Sequence, residues 1–499
     1  ENHDWAADNV VSMQRAKELK ALSDAWCKEA AGGMGEYVDV KEMDPEQRFA
    51  YKIHEFKIDE RETMESQGSL SKYRALRMIL TGPPGAGKSR TVRSIAMLRG
   101  QRARARAEKE ARQNRVSKDL ALKRSQEAAR GACLLAAPTG TASFQIKAGA
   151  TTLHRLFGIP IGVFRSNSST EALVRRTRIL KASSLIALDE FSMIGRKMLG
   201  KMKYRVEEAL GAESAGVGVL KSMGGKDVML SGDPDQTAPI GDDSLHREGA
   251  SKKDGVQGTR DVRGRTKKPP EDAVEGWVLS DSGLAFFHEF DDVVLLEQRH
   301  RLVDPEKENI SEEQKDAFVD DLTRFREVCE RLAELTITRE DTAWLARRDR
   351  SRLSAEERRL FDEAVLLMDT RKQRVERGGE VTQLDGADYK NLEELYKLAA
   401  REGVPIVRFG SHHKKREGEE TMKAELMEDD DFGLAAELQM CVGARVILTR
   451  NMWIGAGLVN GSMGTVRHFV WEPGGDPTSL DPRLRAPYCI IVEFDDVQL

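Results

Sequence analysis

The sequence predicts an α/β fold in which buried parallel strands alternate with helices. Three observations carry that expectation. Short continuous apolar runs at 76–80, 132–137, 184–188 and 227–231 fit strands covered on both faces. Each run ends in a glycine-rich or polar turn, the usual place where a strand hands over to a helix. At 499 residues the chain is too long for one core, so about two to four domains are expected.

The totals narrow the function classes. Hydrophobic residues at 39% suffice for packed interiors, and charged residues at 32% point to solvated helices and loops. The net charge of −4 means that any nucleic-acid surface is local. Cys27, Cys133, Cys329, Cys441 and Cys489 are scattered without C-x-x-C spacing. That argues against a zinc site or a disulfide framework and fits a reducing intracellular compartment, nucleus or mitochondrion in a eukaryotic cell. No apolar run is long enough to span a bilayer. The chain begins with Glu1 and stops just after an apparent strand at 488–494, as a piece of a longer polypeptide would.

In chain order, residues 1–41 carry helical spacing (Met13, Ala16, Leu19, Leu22) and no evident chemistry. Asp44 and Pro45 then suit the N-cap and first position of a helix. Gln47 falls in its first turn, where a side-chain amide can offer a donor and an acceptor to an adenine edge.

The stretch Gly82-Pro83-Pro84-Gly85-Ala86-Gly87-Lys88-Ser89 is G-x-x-x-x-G-K-S, set between an apolar strand and a helix marked by Val92, Ile95 and Leu98. Strand, glycine loop and helix together make a nucleotide site, because converging backbone N–H groups and the helix dipole favour phosphate. Lys88 is expected at the β- and γ-phosphates and Ser89 on Mg²⁺, with Arg90 next to them as a further nucleotide contact. A basic stretch follows at 99–130, read equally as a nucleic-acid arm and as a solvated helical insertion.

The strand at 132–137 leads into Pro138-Thr139-Gly140, with Phe144, Thr152 and His154 downstream. Hydroxyls, an imidazole and an aromatic ring at the carboxyl edge of a parallel sheet suit a polyanion with stackable bases. A small excursion at 159–182 precedes the strand that ends in Asp189-Glu190. Carboxylates opposite a phosphate loop are expected to hold the metal (Asp189) and to polarise the attacking water (Glu190). The strand at 227–231 ends in a turn carrying Gln236, which can bond both the γ-phosphate and that water. A flexible insertion is expected at about 241–275, after which Trp277, Phe286 and Phe287 return to the core. A strand at 293–296 then leads to Arg299, His300 and Arg301. Further strands are expected at 364–368, before Thr370, and at 405–409. The stretch 443–466 reads as strand, turn, glycine turn and strand around Asn460-Gly461.

The order of these motifs resembles the superfamily-one DNA helicases of the petite-integration-frequency ("PIF one") and RecD-like branch, from about Met43 to the chain end. Gln47 matches the family's Q motif, 82–89 its motif I, and Pro138-Thr139-Gly140 with Thr152-Leu153-His154 its motif Ia region. Asp189-Glu190-Phe191-Ser192-Met193 is similar to D-E-I-S-M, with Phe for Ile. Gly232-Asp233-Pro234-Asp235-Gln236 is similar to G-D-x-x-Q-L-P-P, with Thr237-Ala238-Pro239 departing from L-P-P. The excursion at 159–182 falls where the family carries a wedge domain. Residues 297–301 resemble motif IV, whose arginine reaches the γ-phosphate: Arg301, with Arg299 as fallback. Residues 443–466 resemble motif V, and nothing after Val466 matches motif VI.

The resemblance implies two RecA-like parallel-sheet motor domains of the P-loop NTPase kind, at 42–290 and 291–499, the second incomplete. It implies ATP and Mg²⁺ as cofactors and 5′-to-3′ movement of a monomeric motor on single-stranded DNA, with unwinding of forked or duplex DNA. DNA contacts would come from Pro138, Thr139, Phe144, Thr152, His154, Thr370, Asn460 and Gly461. Roles in repair, recombination or telomere maintenance follow by the same resemblance. Two alternatives stay open: an AAA-type ATPase, and an ATP- and DNA-binding remnant that is no helicase.

Overall fold

The computed structural model describes residues 40–160, 162–214, 222–247, 249, 272–300, 312–349, 351–359, 361, 373–377, 380–385, 387–410, 437–471, 478 and 487–495. The helix expected before residue 40, most of the insertion at 241–275 and the strand at 364–368 lie outside them. The described residues up to Ile337 form one compact unit, and those from Thr338 on, apart from Trp453–Gly455, form a second.

The first unit is an α/β layer structure on a six-stranded sheet in the order β3-β2-β4-β5-β1-β6. Its strands are β1 (Arg77–Thr81), β2 (Cys133–Ala137), β3 (Thr151–Thr152), β4 (Leu185–Leu188), β5 (Asp227–Gly232) and β6 (Asp292–Leu295), and every neighbouring pair is parallel. Alternation along the strands divides the interior into two cores, as the two-residue period of a strand requires. Leu134, Ala136, Ile186, Leu188, Val228 and Leu230 face one core, and Leu135, Ala137, Leu185, Ala187 and Met229 face the other.

The second of these cores is closed by α1 (Pro45–Ser66) and α2 (Lys88–Gln113), through Ala50, Val92 and Ile95. The antiparallel α3 (Lys118–Gly131) returns the chain to β2. Short helices α4 (Gly140–Ile146) and α5 (Leu153–Phe157) flank β3, and α6 (Thr170–Ala182) leads into β4. The other core is closed by α7 (Arg196–Ser214) and α8 (Gly276–Phe287), through Leu199, Met202, Val206, Leu279 and Phe286. α7 and α8 meet backbone to backbone: a Cβ on Gly200 would lie 1.9 Å from the Leu279 carbonyl oxygen, and one on Gly283 would lie 2.0 Å from that of Arg196.

Two expectations are corrected here. The strand at 293–296 does not open a second domain at 291. β6 pairs with β1 as the outer strand of the first sheet, with Val294 and Leu296 buried, and the division between units falls at Ile337. A lone apolar strand carries no local mark of its partner, and β1 needed one. Of the two readings of the basic stretch at 99–130, the structure shows the helical insertion, as a hairpin whose Arg99 is buried at its base. The excursion at 159–182 is no separate domain: Ile159, Phe164 and Leu180 lie in the core, and Arg176 pairs with Glu208 of α7 at 2.8 Å.

The long α9 (Glu312–Ala333) follows in the first unit. The second unit opens with α10 (Arg339–Leu345), held by a reciprocal capping box between Thr338 and Asp341. α11 (Ala387–Glu402) packs over a small core of Ala399, Val407, Cys441, Ala444, Val466, Phe469 and Trp471. Its strand pairs are β7 (Gln373–Arg377) with β8 (Glu380–Asp385), β9 (Val407–Gly410) with β10 (Glu437–Met440), and β11 (Arg445–Ile447) with β12 (Met463–Val470) and β13 (Cys489–Phe494). All are antiparallel. The second parallel sheet expected for 291–499 is therefore not present among the described residues. A parallel pair needs a long crossover, usually helical, whereas only two residues separate β7 from β8 in the sequence.

Candidate nucleotide site

The site is built on the carboxyl ends of β1, β4 and β5. After Thr81 the chain turns through residues 82–87 and enters α2 at Lys88, with Gly87 as a left-handed N-cap (φ +83°). A side chain at Gly87 would place Cβ 2.4 Å from Gln47 Nε2, and one at Gly82 would place it 2.3 Å from the Leu296 carbonyl oxygen. Glycine is thus required twice, since Gly87 and Gly82 (φ +149°) each combine a positive φ with close packing, Gly82 against the residue that follows β6. Lys88 folds back over the loop and donates to the Gly82 (2.7 Å) and Pro83 (3.0 Å) carbonyls. An ammonium held there lies over the cradle that the loop's N–H groups form, where phosphate oxygens bind in such loops.

Ser89, one residue into α2, donates from Oγ to Asp189 Oδ2 at 3.0 Å. Asp189 follows β4 directly and is 5% exposed. This brings together the two side chains, a hundred residues apart, that were expected to hold a metal. β5 lies between β1 and β4, so the turn after Gly232 emerges between the phosphate loop and the carboxylate pair. Gln236 sits in that turn, half-buried, with its amide donating to Asp233 Oδ2 at 3.4 Å. Glu190 is half-buried in a left-handed conformation (φ +53°, ψ +48°), unusual for a residue with a side chain. Such strain concentrates at functional positions.

Gln47 is buried, 1% exposed, and its amide donates to the Ala86 carbonyl at 3.1 Å. One N–H of its amide therefore steadies the loop. Arg90 pairs at 3.2 Å with Glu42. Asp44 occupies the N-cap position of α1 but makes no capping bond with its side chain. Its carboxylate instead meets His300 Nε2 at 2.5 Å, while the His300 backbone N–H donates to the Gly85 carbonyl at 2.8 Å. His300 thus ties the loop to the start of α1. No sequence pattern marked it, because its partners lie more than two hundred residues away. Arg299 pairs with Glu330 at 3.1 Å, and Arg301 lies outside the described residues.

The residues expected to touch DNA divide by exposure. Pro138 and Thr139 are half-buried at the end of β2, and Thr139 caps α4 by accepting from the Ala142 N–H at 3.1 Å. Phe144 on α4 and His154 on α5 are half-buried at the same sheet edge. Burial first, and then the charge of Lys201, hold the His154 imidazole below its usual pKa, so it presents a neutral ring at neutral pH. Thr152 is buried at 8% exposure, which removes most of its surface from any partner. Asn460 and Gly461 lie exposed in the second unit, where the Asn460 N–H donates to Asn451 Oδ1 and the Gly461 N–H to the Leu448 carbonyl. Thr370 lies outside the described residues.

Comparison with known proteins bears on this arrangement. Residues 119–252, which include β2, Asp189, Glu190 and Gln236, match the model of the PIF1-like helicase family. No curated protein matches the chain. Similar solved structures include two coordinating Pif1 helicases at forked double-stranded DNA (16% identity over 91% of this chain and 75% of that one, TM-score 0.43). Another is the Pif1 helicase of Candida albicans (17% identity, 86% and 69%, TM-score 0.44). A third is a Bacteroides Pif1 with ADP-AlF3 and single-stranded DNA (17% identity, 88% and 72%, TM-score 0.40). The similarity to the PIF1-like helicase model is thus confined to residues 119–252, and the phosphate loop at 82–89 lies ahead of the matched residues.

Proposed function

We propose that this chain is an ATP-driven DNA helicase, moving 5′ to 3′ on single-stranded DNA and opening forked or duplex DNA, in repair, recombination or telomere maintenance. The observation that carries the chemistry is the 3.0 Å contact between Ser89 and Asp189 at the phosphate loop, with Gln236 in the turn after β5, the strand between them. Polarity and biological role rest on the motif order alone.

The donor set fits Mg·ATP. One hydroxyl and one carboxylate are what a magnesium ion needs from protein when phosphate and water fill its other positions. Among the described residues there is no group of three His, Cys, Asp or Glu side chains that would suit a metal held by protein alone. The bound Mg²⁺ would neutralise charge on the β- and γ-phosphates. Lys88 would exchange its two carbonyl partners for phosphate oxygens. Glu190 would take a proton from the attacking water, and Gln236 would orient that water. Arg301, or Arg299, would meet the γ-phosphate. DNA would cross Pro138, Thr139, Phe144 and His154, with Thr370, Asn460 and Gly461 adding backbone contacts.

Glu190→Gln should keep nucleotide binding and lower DNA-stimulated turnover by about two to four orders of magnitude. Lys88→Ala should lose both binding and turnover. Phosphate release measured with and without oligothymidine, beside binding of a fluorescent ATP analogue, reads the two variants. Wild-type turnover in Glu190→Gln would remove the role given to that carboxylate. A DNA-independent rate in the wild type would favour an ATPase that is no helicase.

A further inference from the structure

The hairpin that joins β1 to β2 carries a surface that the nucleotide site does not use. α2 has crossed the whole sheet by Arg99, whose guanidinium reaches Asp227, the first residue of β5. The helix continues to Gln113, about 20 Å further at 1.5 Å per residue. α3 then brings the chain back. The two helices lie close at their base, where a Cβ on Gly100 would come within 3.1 Å of the Ala129 carbonyl oxygen.

The cations of this hairpin sort by height. On α2 the cations nearest the base have acidic partners: Arg99 with Asp227 at 2.7 Å, Arg102 with Asp59 at 2.9 Å, and Arg106 with Glu65 through two bonds of 2.7 and 2.9 Å. Asp59 and Glu65 belong to α1, and pairing with that helix stops at Arg106. Beyond it Lys109, Arg112, Arg115, Lys118, Lys123 and Arg124 are exposed, with no carboxylate partner among the described residues. The carboxylates within 107–126 are Glu108 and Glu110, already engaged by Arg104 and Arg106, and Asp119. In a chain of net charge −4 this tip is a concentrated positive end.

We propose that the hairpin tip is a second nucleic-acid contact, a phosphate-backbone site beyond the sheet edge opposite the nucleotide loop. Gln113, Asn114 and Ser117 at the turn add neutral donors suited to phosphate oxygens. Residues 99–130 contain no aromatic side chain, so the tip offers no ring for a base to stack on and takes single and double strands alike. An anionic lipid surface fits less well. The exposed leucines, Leu120 and Leu122, are two positions apart and project from nearly opposite sides of α3, leaving no apolar face to enter a bilayer. The site needs no nucleotide and adds to the helicase reading rather than resting on it.

The test combines Arg112→Gln, Arg115→Gln, Lys118→Gln, Lys123→Gln and Arg124→Gln in the full chain, with Arg112→Lys, Arg115→Lys and Arg124→Lys as the charge-preserving control. Fluorescence anisotropy with a labelled duplex and with labelled oligothymidine gives affinity between about 50 and 200 mM salt. The neutralised protein should bind both probes about tenfold more weakly at the lower salt. Its log–log salt slope on duplex should flatten by up to about 0.9 for each phosphate that is no longer neutralised. The lysine control should bind as wild type does, and the melting temperature and DNA-free ATP turnover should not change. Equal affinity and slope in the neutralised and wild-type proteins would overturn the proposal. So would a loss seen only with phosphatidylserine vesicles. Failure of the helicase reading is separate: it would appear as wild-type turnover that DNA does not raise, whatever the variant's affinity.

Discussion

At Asp227 one buried carboxylate gathers three donors: the Tyr73 hydroxyl at 2.8 Å, the Leu76 N–H at 2.9 Å and the Arg99 guanidinium at 2.7 Å. The same guanidinium nitrogen lies 3.0 Å from His54 Nδ1. A guanidinium can only donate, so Nδ1 must accept and the proton sits on Nε2, which finds no partner. Burial, and then the charge of Arg99, hold the His54 pKa well below its usual value. Above about pH 6.5 the ring is therefore neutral folded and unfolded alike, and its contribution is complete. As the pH falls below that, the unfolded chain takes a proton that the folded one refuses, and stability drops until the folded pKa is reached. Thermal melts from pH 8 to pH 5 should show this loss, and His54→Asn should flatten it. An unchanged pH slope in the variant would shift the effect to other groups. None of this is legible in the sequence, because Arg99 reads as one more cation in a basic run and Asp227 as the polar start of a strand.

Among the elements, α7 and α8 depend most visibly on absent side chains. With carbonyl oxygens 1.9 and 2.0 Å from the Cβ positions of Gly200 and Gly283, neither site accepts alanine without moving a helix. Gly200→Ala should destabilise the fold by about 1–3 kcal/mol or more, read as a lower denaturation midpoint in urea. Gly276→Ala, where the new carbon would stand 3.4 Å from the Lys197 side chain, should stay within about 0.5 kcal/mol of wild type. Similar midpoints for both would mean that the helices slide apart cheaply. The buried strands β1, β2, β4 and β5 were readable because a strand covered on both faces is apolar throughout. β3 was not, since two threonines carry no period. β6 was found as a strand but assigned to the wrong sheet, because hydrogen-bond partnership is not written in the strand itself. In the site, the Ser89–Asp189 meeting followed from two motifs with fixed backbone contexts. The His300–Asp44 contact followed from none.

At the scale of the molecule, the first unit has its own sheet, both cores and the phosphate loop. A fragment of residues 40–337 should therefore fold alone, melt cooperatively and bind a fluorescent ATP analogue. A fragment that shows no cooperative melt would mean that the second unit is part of the same folding reaction. The order of the strands has a further consequence, in time rather than in space. β1 is made early, yet its neighbours in the sheet are β5 and β6. At about 5–20 residues per second, the ribosome needs roughly 10–40 s to go from Thr81 to Leu295. For most of that interval the strand that carries the phosphate loop has neither neighbour, an open template for mispairing. The nascent chain is safe only when its last strand arrives, so pauses in translation before residue 295 should cost more soluble protein than pauses after it.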